Sequence, residues 1–333
     1  MTLQFVLGKD GLDHQAKMIE ILKSQKVKNA GDQFFYLVPN HIKFESEVDI
    51  LKQLGEVDAD TTAQSAVQVL SFTRLAWFFL RNTPEYQKQR ISQAGINMLI
   101  YQIIVDNQDK LVLFSHEIHN PGFIDQLSRQ IREMQAGNVS PENLLEMLEN
   151  DNSTITNDLR DKLHDFAIIY QQYVERIANQ YFDSHTVLNL LSDKLLDIDL
   201  SHYHFYISGF SKLTAQECGL VQALINQSAS VTVSLTLDRP YPNELPKQPN
   251  LFLQSAKLFH QLYGFAADNK IPYLKTVMAD QPRISDDMQK LEDYWIDSSS
   301  LGNRPVDQHI AKESIQIYQA DSLYSEPVSY THL

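Results

Sequence analysis

Gln4-Phe-Val-Leu-Gly-Lys-Asp-Gly-Leu-Asp-His-Gln-Ala-Lys-Met-Ile-Glu-Ile-Leu22 is the stretch whose reading decides the fold. It opens with the apolar run Phe5, Val6 and Leu7, breaks at Gly8, and continues with Met18, Ile19 and Leu22 at helical spacing. Strand, glycine turn and helix in that order open an α/β nucleotide-binding layer, where loop amides and the helix N-terminus form a phosphate site. A working phosphate loop reads G-x-x-x-x-G-K-[ST]. From Gly8 this chain reads Gly8-Lys9-Asp10-Gly11-Leu12-Asp13-His14-Gln15. No Ser or Thr follows the Gly8-Lys9 pair. His14 and Gln15 stand where the lysine and the magnesium-binding hydroxyl belong, and Asp10 and Asp13 would repel a triphosphate. Gly8, Lys9, Gly11, His14 and Gln15 are therefore candidates for a degenerate nucleotide site, in the right place but without the chemistry.

Working outward, Phe34-Phe-Tyr-Leu-Val38 has the continuous apolar character of a strand buried on both faces of a parallel sheet. A helix with Ile42, Val48, Ile50 and Leu51 follows, then a strand at residues 67–70. Ser71 is placed to cap the next helix, which carries Leu75, Trp77, Phe78 and Leu80. Residues 1–84 thus read β-α-β-α-β-α, the pattern of a doubly wound layer. Residues 85–200 change character, with five successive helical patterns over 91–105, 123–134, 141–148, 159–181 and 186–196 and no convincing strand. They read as an all-helical subdomain inserted into the α/β layer. Residues 201–278 resume it, with strands at 203–207 and 231–237, a helix through 217–225, and a helix over 252–263 stopped by Gly264. Residues 279–312 are polar and read as a mobile connection, followed by a last strand at 315–318. The end at Tyr330-Thr-His-Leu333 is abrupt, and residues 279–333 are expected to be a linker, a last strand and a truncated end whose final residues are not native.

Composition narrows the class. A chain of 333 residues, 43% hydrophobic and 21% charged, has the makings of a sizeable core. No apolar run approaches the roughly 18 residues of a membrane helix, and no secretory pattern opens the chain, so a cytoplasmic protein is expected. The single cysteine, Cys218, excludes an internal disulfide or a cysteine-based cluster within these residues. A formal charge of −14 argues against general polyanion binding. Lys9, Lys17, Lys23, Lys26 and Lys28 still make the first helix region the most basic part, either a local groove or a solvated helix face.

Several further short patterns accumulate. They are Phe5-Val-Leu-Gly8; Leu37-Val-Pro39 with Phe44 and Glu47; Val69-Leu-Ser-Phe-Thr-Arg-Leu-Ala76; and Pro121-Gly-Phe123 with Glu133. Asp161-Lys-Leu163 with Asp165, Tyr181-x-Asp183, Gly209-Phe210 and Leu213-Thr-Ala-Gln-Glu217 complete the series. In this order and spacing the chain resembles the AddB/RexB family, which supplies the second subunit of the ATP-dependent helicase/deoxyribonuclease, over nearly all of residues 3–325. The altered glycine loop looks more like the RexB branch. The resemblance implies a RecA-like, superfamily-1 helicase-like parallel layer with a helical insertion, largely inactive as a motor. It implies gripping of DNA ends and recognition of a regulatory sequence, in double-strand-break repair, beside an AddA/RexA-type partner that carries the working helicase. Magnesium and an iron–sulfur nuclease belong to the intact family protein, the nuclease at its far C-terminus and outside this chain.

Two sites follow. An active helicase of this kind ends the strand after its insertion in an acidic pair, whereas Tyr206-Ile-Ser-Gly209 offers no carboxylate and the nearest acid is Glu217. Ser71, Thr73, Arg74 and Trp77 occupy a strand end and helix start where hydroxyls and Arg can reach phosphate and an aromatic can stack a base. The plainer alternative makes Trp77 and Phe78 core and Arg74 an ordinary surface residue. His116 and His119 lack a third metal ligand, and Asp286, Asp287, Glu292 and Asp293 read as solvated charge. Rival readings are an independent ATPase and a scaffold that holds a partner through Tyr170, Tyr173 and Tyr181.

Overall fold

The computed structural model describes residues 1–55, 67–120, 122–149, 156–183 and 185–299. The strand expected at 315–318, the chain end and Pro121 lie outside them. In chain order the elements are β1 (Leu3–Gly8), α1 (His14–Lys28), β2 (Gln33–Leu37), α2 (Lys43–Leu54), β3 (Val67–Leu70), α3 (Phe72–Leu80) and β4 (Gln89–Arg90). Then come α4 (Gln93–Asp106), α5 (Phe114–Glu117), α6 (Phe123–Ala136), α7 (Pro141–Glu149), α8 (Asn157–Gln180), β5 (Tyr181–Phe182) and α9 (Val187–Leu195). The last are β6 (Tyr203–Ile207), α10 (Ala215–Gln227), β7 (Ser230–Thr236), α11 (Leu253–Asp268), β8 (Val277–Met278) and α12 (Asp286–Ser299).

Six strands form one sheet in the order β3-β2-β6-β7-β1-β8, with every ladder parallel. Parallel strands need crossovers that cover both faces, which is why β1, β2 and β6 are apolar without alternation. Val6, Phe34, Tyr36, Val69 and Tyr206 face α1 and α2, while Phe5, Leu7, Phe35, Phe205 and Val233 face α3, α9, α10 and α11. β7 alternates Val with Thr or Ser, yet Thr232 and Ser234 are also buried, on a face that has polar partners. Helices α4, α6, α7 and α8 enclose a separate core around Ile100, Ile103, Ile131, Ile169 and Tyr173.

The structure corrects four expectations. The helical stretch holds two short strands, since β4 and β5 pair in parallel. β8 is a two-residue edge strand beside β1. Gly264 does not stop α11, because buried Leu262 and Ala266 hold both flanks. The helix runs to Asp268 and ends before Lys270, which takes a positive φ of 56°. Residues 286–299 are α12 rather than a polar connection. Ser285 Oγ accepts the Met288 N–H, and Asp286 and Asp287 favour the first turn through the helix dipole.

Candidate functional site

The carboxyl ends of β1, β6 and β7 meet in the middle of the sheet, where open parallel sheets bind their ligands. They border a cleft of about 330 Å³ lined by Asp10, Asp13, His14, Ser208, Gly209 and Arg283. Of the sequence candidates, Gly8 ends β1, Lys9 and Gly11 lie in the connecting loop, and His14 and Gln15 open α1.

At the first position of α1 the His14 imidazole turns back onto the loop backbone. Its Nε2 lies 3.0 Å from the Lys9 carbonyl, which can only accept, so Nε2 carries the proton. Nδ1 then accepts the Ser234 hydroxyl at 3.0 Å, which gives β7 its buried polar position. The ring lies against Gly8, where a Cβ would come within 3.2 Å of Nε2. Asp13 caps α1, its Oδ1 accepting the Ala16 N–H at 2.8 Å, so the chain's own carboxylate takes the anion position of the helix N-terminus. Lys9 reaches away from the loop to Asp293 at 2.5 Å. Lys17 pairs with Glu20 and Asp280, and the Lys23 ammonium donates to Gln53 O, so these lysines are committed to partners within the chain. Below the loop Tyr36 and Tyr206 stack at 6.3 Å, and burial pushes both hydroxyls far above the usual tyrosine range.

The end of β6 is equally short of acids. Ser208 N–H donates to Leu37 O, and Gly209 turns with φ +84°, close against Pro39. Glu217 is spent on a capping box, its Oε2 accepting both the N–H and the hydroxyl of Thr214. Among the described residues no group of three or more His, Cys, Asp or Glu is placed to hold a metal, and His116 lies in α5. One buried cysteine cannot hold an iron–sulfur cluster.

The DNA-contact candidates divide. Ser71 is buried, and its oxygen accepts the Arg74 N–H as the cap of α3. Thr73, Arg74 and Trp77 are exposed together on the same helix, with Trp77 41% exposed under the Arg81 guanidinium. Phe78 instead packs edge-on against Phe35. Tyr170 and Tyr173 are buried, bonded to Val139 O and Asp183, which removes them from any docking face.

Glu292 and Asp293, read from the sequence as solvated charge, are partly exposed and bond to the β1–α1 loop. Gly11 N–H donates to Glu292 Oε1 at 3.0 Å, and Arg283 joins Asp10 at 2.9 Å. Their distance along the chain hides them in the sequence, and only the Ser285-Asp286-Asp287 helix start signals the element that carries them.

The architecture is that of an α/β protein with a parallel sheet and a ligand-type crevice at its carboxyl edge. The chain belongs to the AddB N-terminal family, whose profile matches residues 5–292. It is 47% identical over 98% of its length to the B-type subunit of the ATP-dependent helicase/deoxyribonuclease from Levilactobacillus brevis, covering 27% of that protein. The proteins of the same name from Lactiplantibacillus plantarum and Enterococcus faecalis are 42% and 35% identical over 89% and 97% of the chain, which covers 25% and 27% of them. The chain thus spans about a quarter of the length of these relatives.

Proposed function

We propose that the chain is the N-terminal, helicase-like part of an AddB/RexB-type subunit of an ATP-dependent helicase/deoxyribonuclease, acting in double-strand-break processing beside an AddA/RexA-type partner. Residues 1–84 and 201–278 form its RecA-like layer and residues 85–200 the helical insertion. It grips DNA and does not turn over ATP. Cleavage, with its magnesium and iron–sulfur cluster, belongs to the remainder of the intact protein.

One observation carries the motor-inactive reading. His14, which stands where the phosphate-binding lysine belongs, is bonded to the Lys9 carbonyl; the end of β6 carries no acid, and the nearest one, Glu217, is held by Thr214. No lysine lines the crevice among the described residues, the end of β6 carries no carboxylate, and the two acids that do line it, Asp10 and Asp13, are engaged by Arg283 and the α1 amides. For DNA, the support is the exposed group Thr73, Arg74 and Trp77 at the carboxyl edge of the sheet, with no ion pair holding Arg74 among the described residues. In the intact two-subunit complex, Arg74→Ala is expected to weaken strand binding and to lower the salt slope of log K by about one. Unchanged affinity and an unchanged slope would remove Arg74 from the interface.

A further inference from the structure

A phosphate loop holds its anion with two kinds of group, the amides of the loop and the N-terminus of the following helix. In this chain both are engaged by the protein's own carboxylates. Asp13 takes the first turn of α1, and Glu292, on α12, takes the Gly11 amide at 3.0 Å. Glu292 does not arrive alone.

Residues 279–283 run along the loop and bond to it nearly residue by residue, and α12 returns to it through Glu292 and Asp293. Ala279 N–H donates to Leu7 O and Asp13 N–H to Gln281 O, each at 2.7 Å, while Leu12 bridges Pro282 in antiparallel sense. Arg283 N–H donates to Gly11 O at 2.9 Å, and its guanidinium holds both the carbonyl and the carboxylate of Asp10. Lys9 closes the far end on Asp293. Gly11 is shaped to this contact, since a Cβ there would lie 2.6 Å from both Glu292 Oε2 and Ile284 Cδ1. The glycine that would admit a phosphate instead admits the strap.

We infer that residues 279–293 are the resident occupant of the loop, a strap that closes it and fixes α12 to the carboxyl edge of the sheet. In a working phosphate loop the occupant comes and goes with the nucleotide. Here it is covalently part of the chain, so closure is constitutive. This goes beyond the functional reading, which needs only the missing lysine and acids and survives if the strap does not.

Hydrogen exchange with mass spectrometry on the 333-residue chain tests it, following peptides over residues 8–15 and 279–284. The wild type is compared with Gly11→Ala and with the double variant Glu292→Ala, Asp293→Ala, whose changes lie at the partly exposed surface and spare the sheet. In the wild type both peptides are protected. Both variants are expected to speed exchange there by about tenfold or more while peptides from β2 and β6 keep their rates. Free-loop exchange in the wild type, or unchanged rates in the double variant, overturns the strap.

Discussion

Asp165 illustrates how a residue that stands in a family pattern can be structural. It is fully buried, and burial alone would raise its pKa, yet the amides of Phe114, Val112 and Leu113 outweigh that and hold it below the usual carboxylate range. Those amides donate at 2.7–2.9 Å and form the start of α5. Asp165→Ala removes the acceptor shared by three partly buried amides and leaves a gap where the carboxylate was buried, and is expected to destabilise the chain by about 2–4 kcal/mol, read as a fall in the urea midpoint. A depressed carboxylate stabilises above its unfolded value and loses that contribution as pH falls through the lower folded value. Stability should therefore hold near neutral pH and fall below about pH 4, and Asp165→Asn should flatten that acid limb. At this scale the sequence was half legible. That the lysine and hydroxyl of a phosphate loop, and the acids expected at the end of β6, are replaced could be read directly from His14, Gln15 and Ser208. The cap at Ser71 was legible from its place before α3; that its oxygen is thereby turned inward and taken from any DNA contact needed the structure.

Elements were legible wherever one periodicity dominated. β1, α1, β2, α3 and α8 follow from their apolar spacing, because buried faces fix which residues must be apolar. β4, β5 and β8 have two residues each and carry no period of their own; their partners define them. The expected stop at Gly264 and the true turn at Gly209 make a matched pair. Gly209 has a positive φ and a Cβ position 3.0 Å from Pro39, so Gly209→Ala should cost about 1–3 kcal/mol. Gly264 lies inside α11 with nothing within 4 Å of its Cβ position, so Gly264→Ala should gain about 0.5–1 kcal/mol. Opposite shifts in thermal midpoint are the expected result, and shifts of the same sign would contradict these assignments.

For the whole molecule, the order of elements could be read and the order of strands could not. The pattern β-α-β-α-β-α followed by helices announced a layered sheet with an insertion. Placing β1 between β7 and β8 needs contacts more than 200 residues apart, such as Leu3 with Val231. That placement brings residues 8–15, residues 208–211 and the segment ahead of α12 to one crevice, which is what makes the chain's chemistry decidable. On the proposed function, a chain of formal charge −14 would hold DNA through a local group such as Thr73, Arg74 and Trp77 rather than through its overall field. None of the described helices is long and apolar enough to cross a membrane. On the proposed function, this crevice has kept the strand–turn–helix geometry of a nucleotide site and lost its use. Equilibrium titration of the chain with a fluorescent ATP analogue, with and without magnesium, tests it most directly. The expected result is no saturable binding below about 1 mM, and magnesium-dependent binding at about 1 μM would contradict the claim.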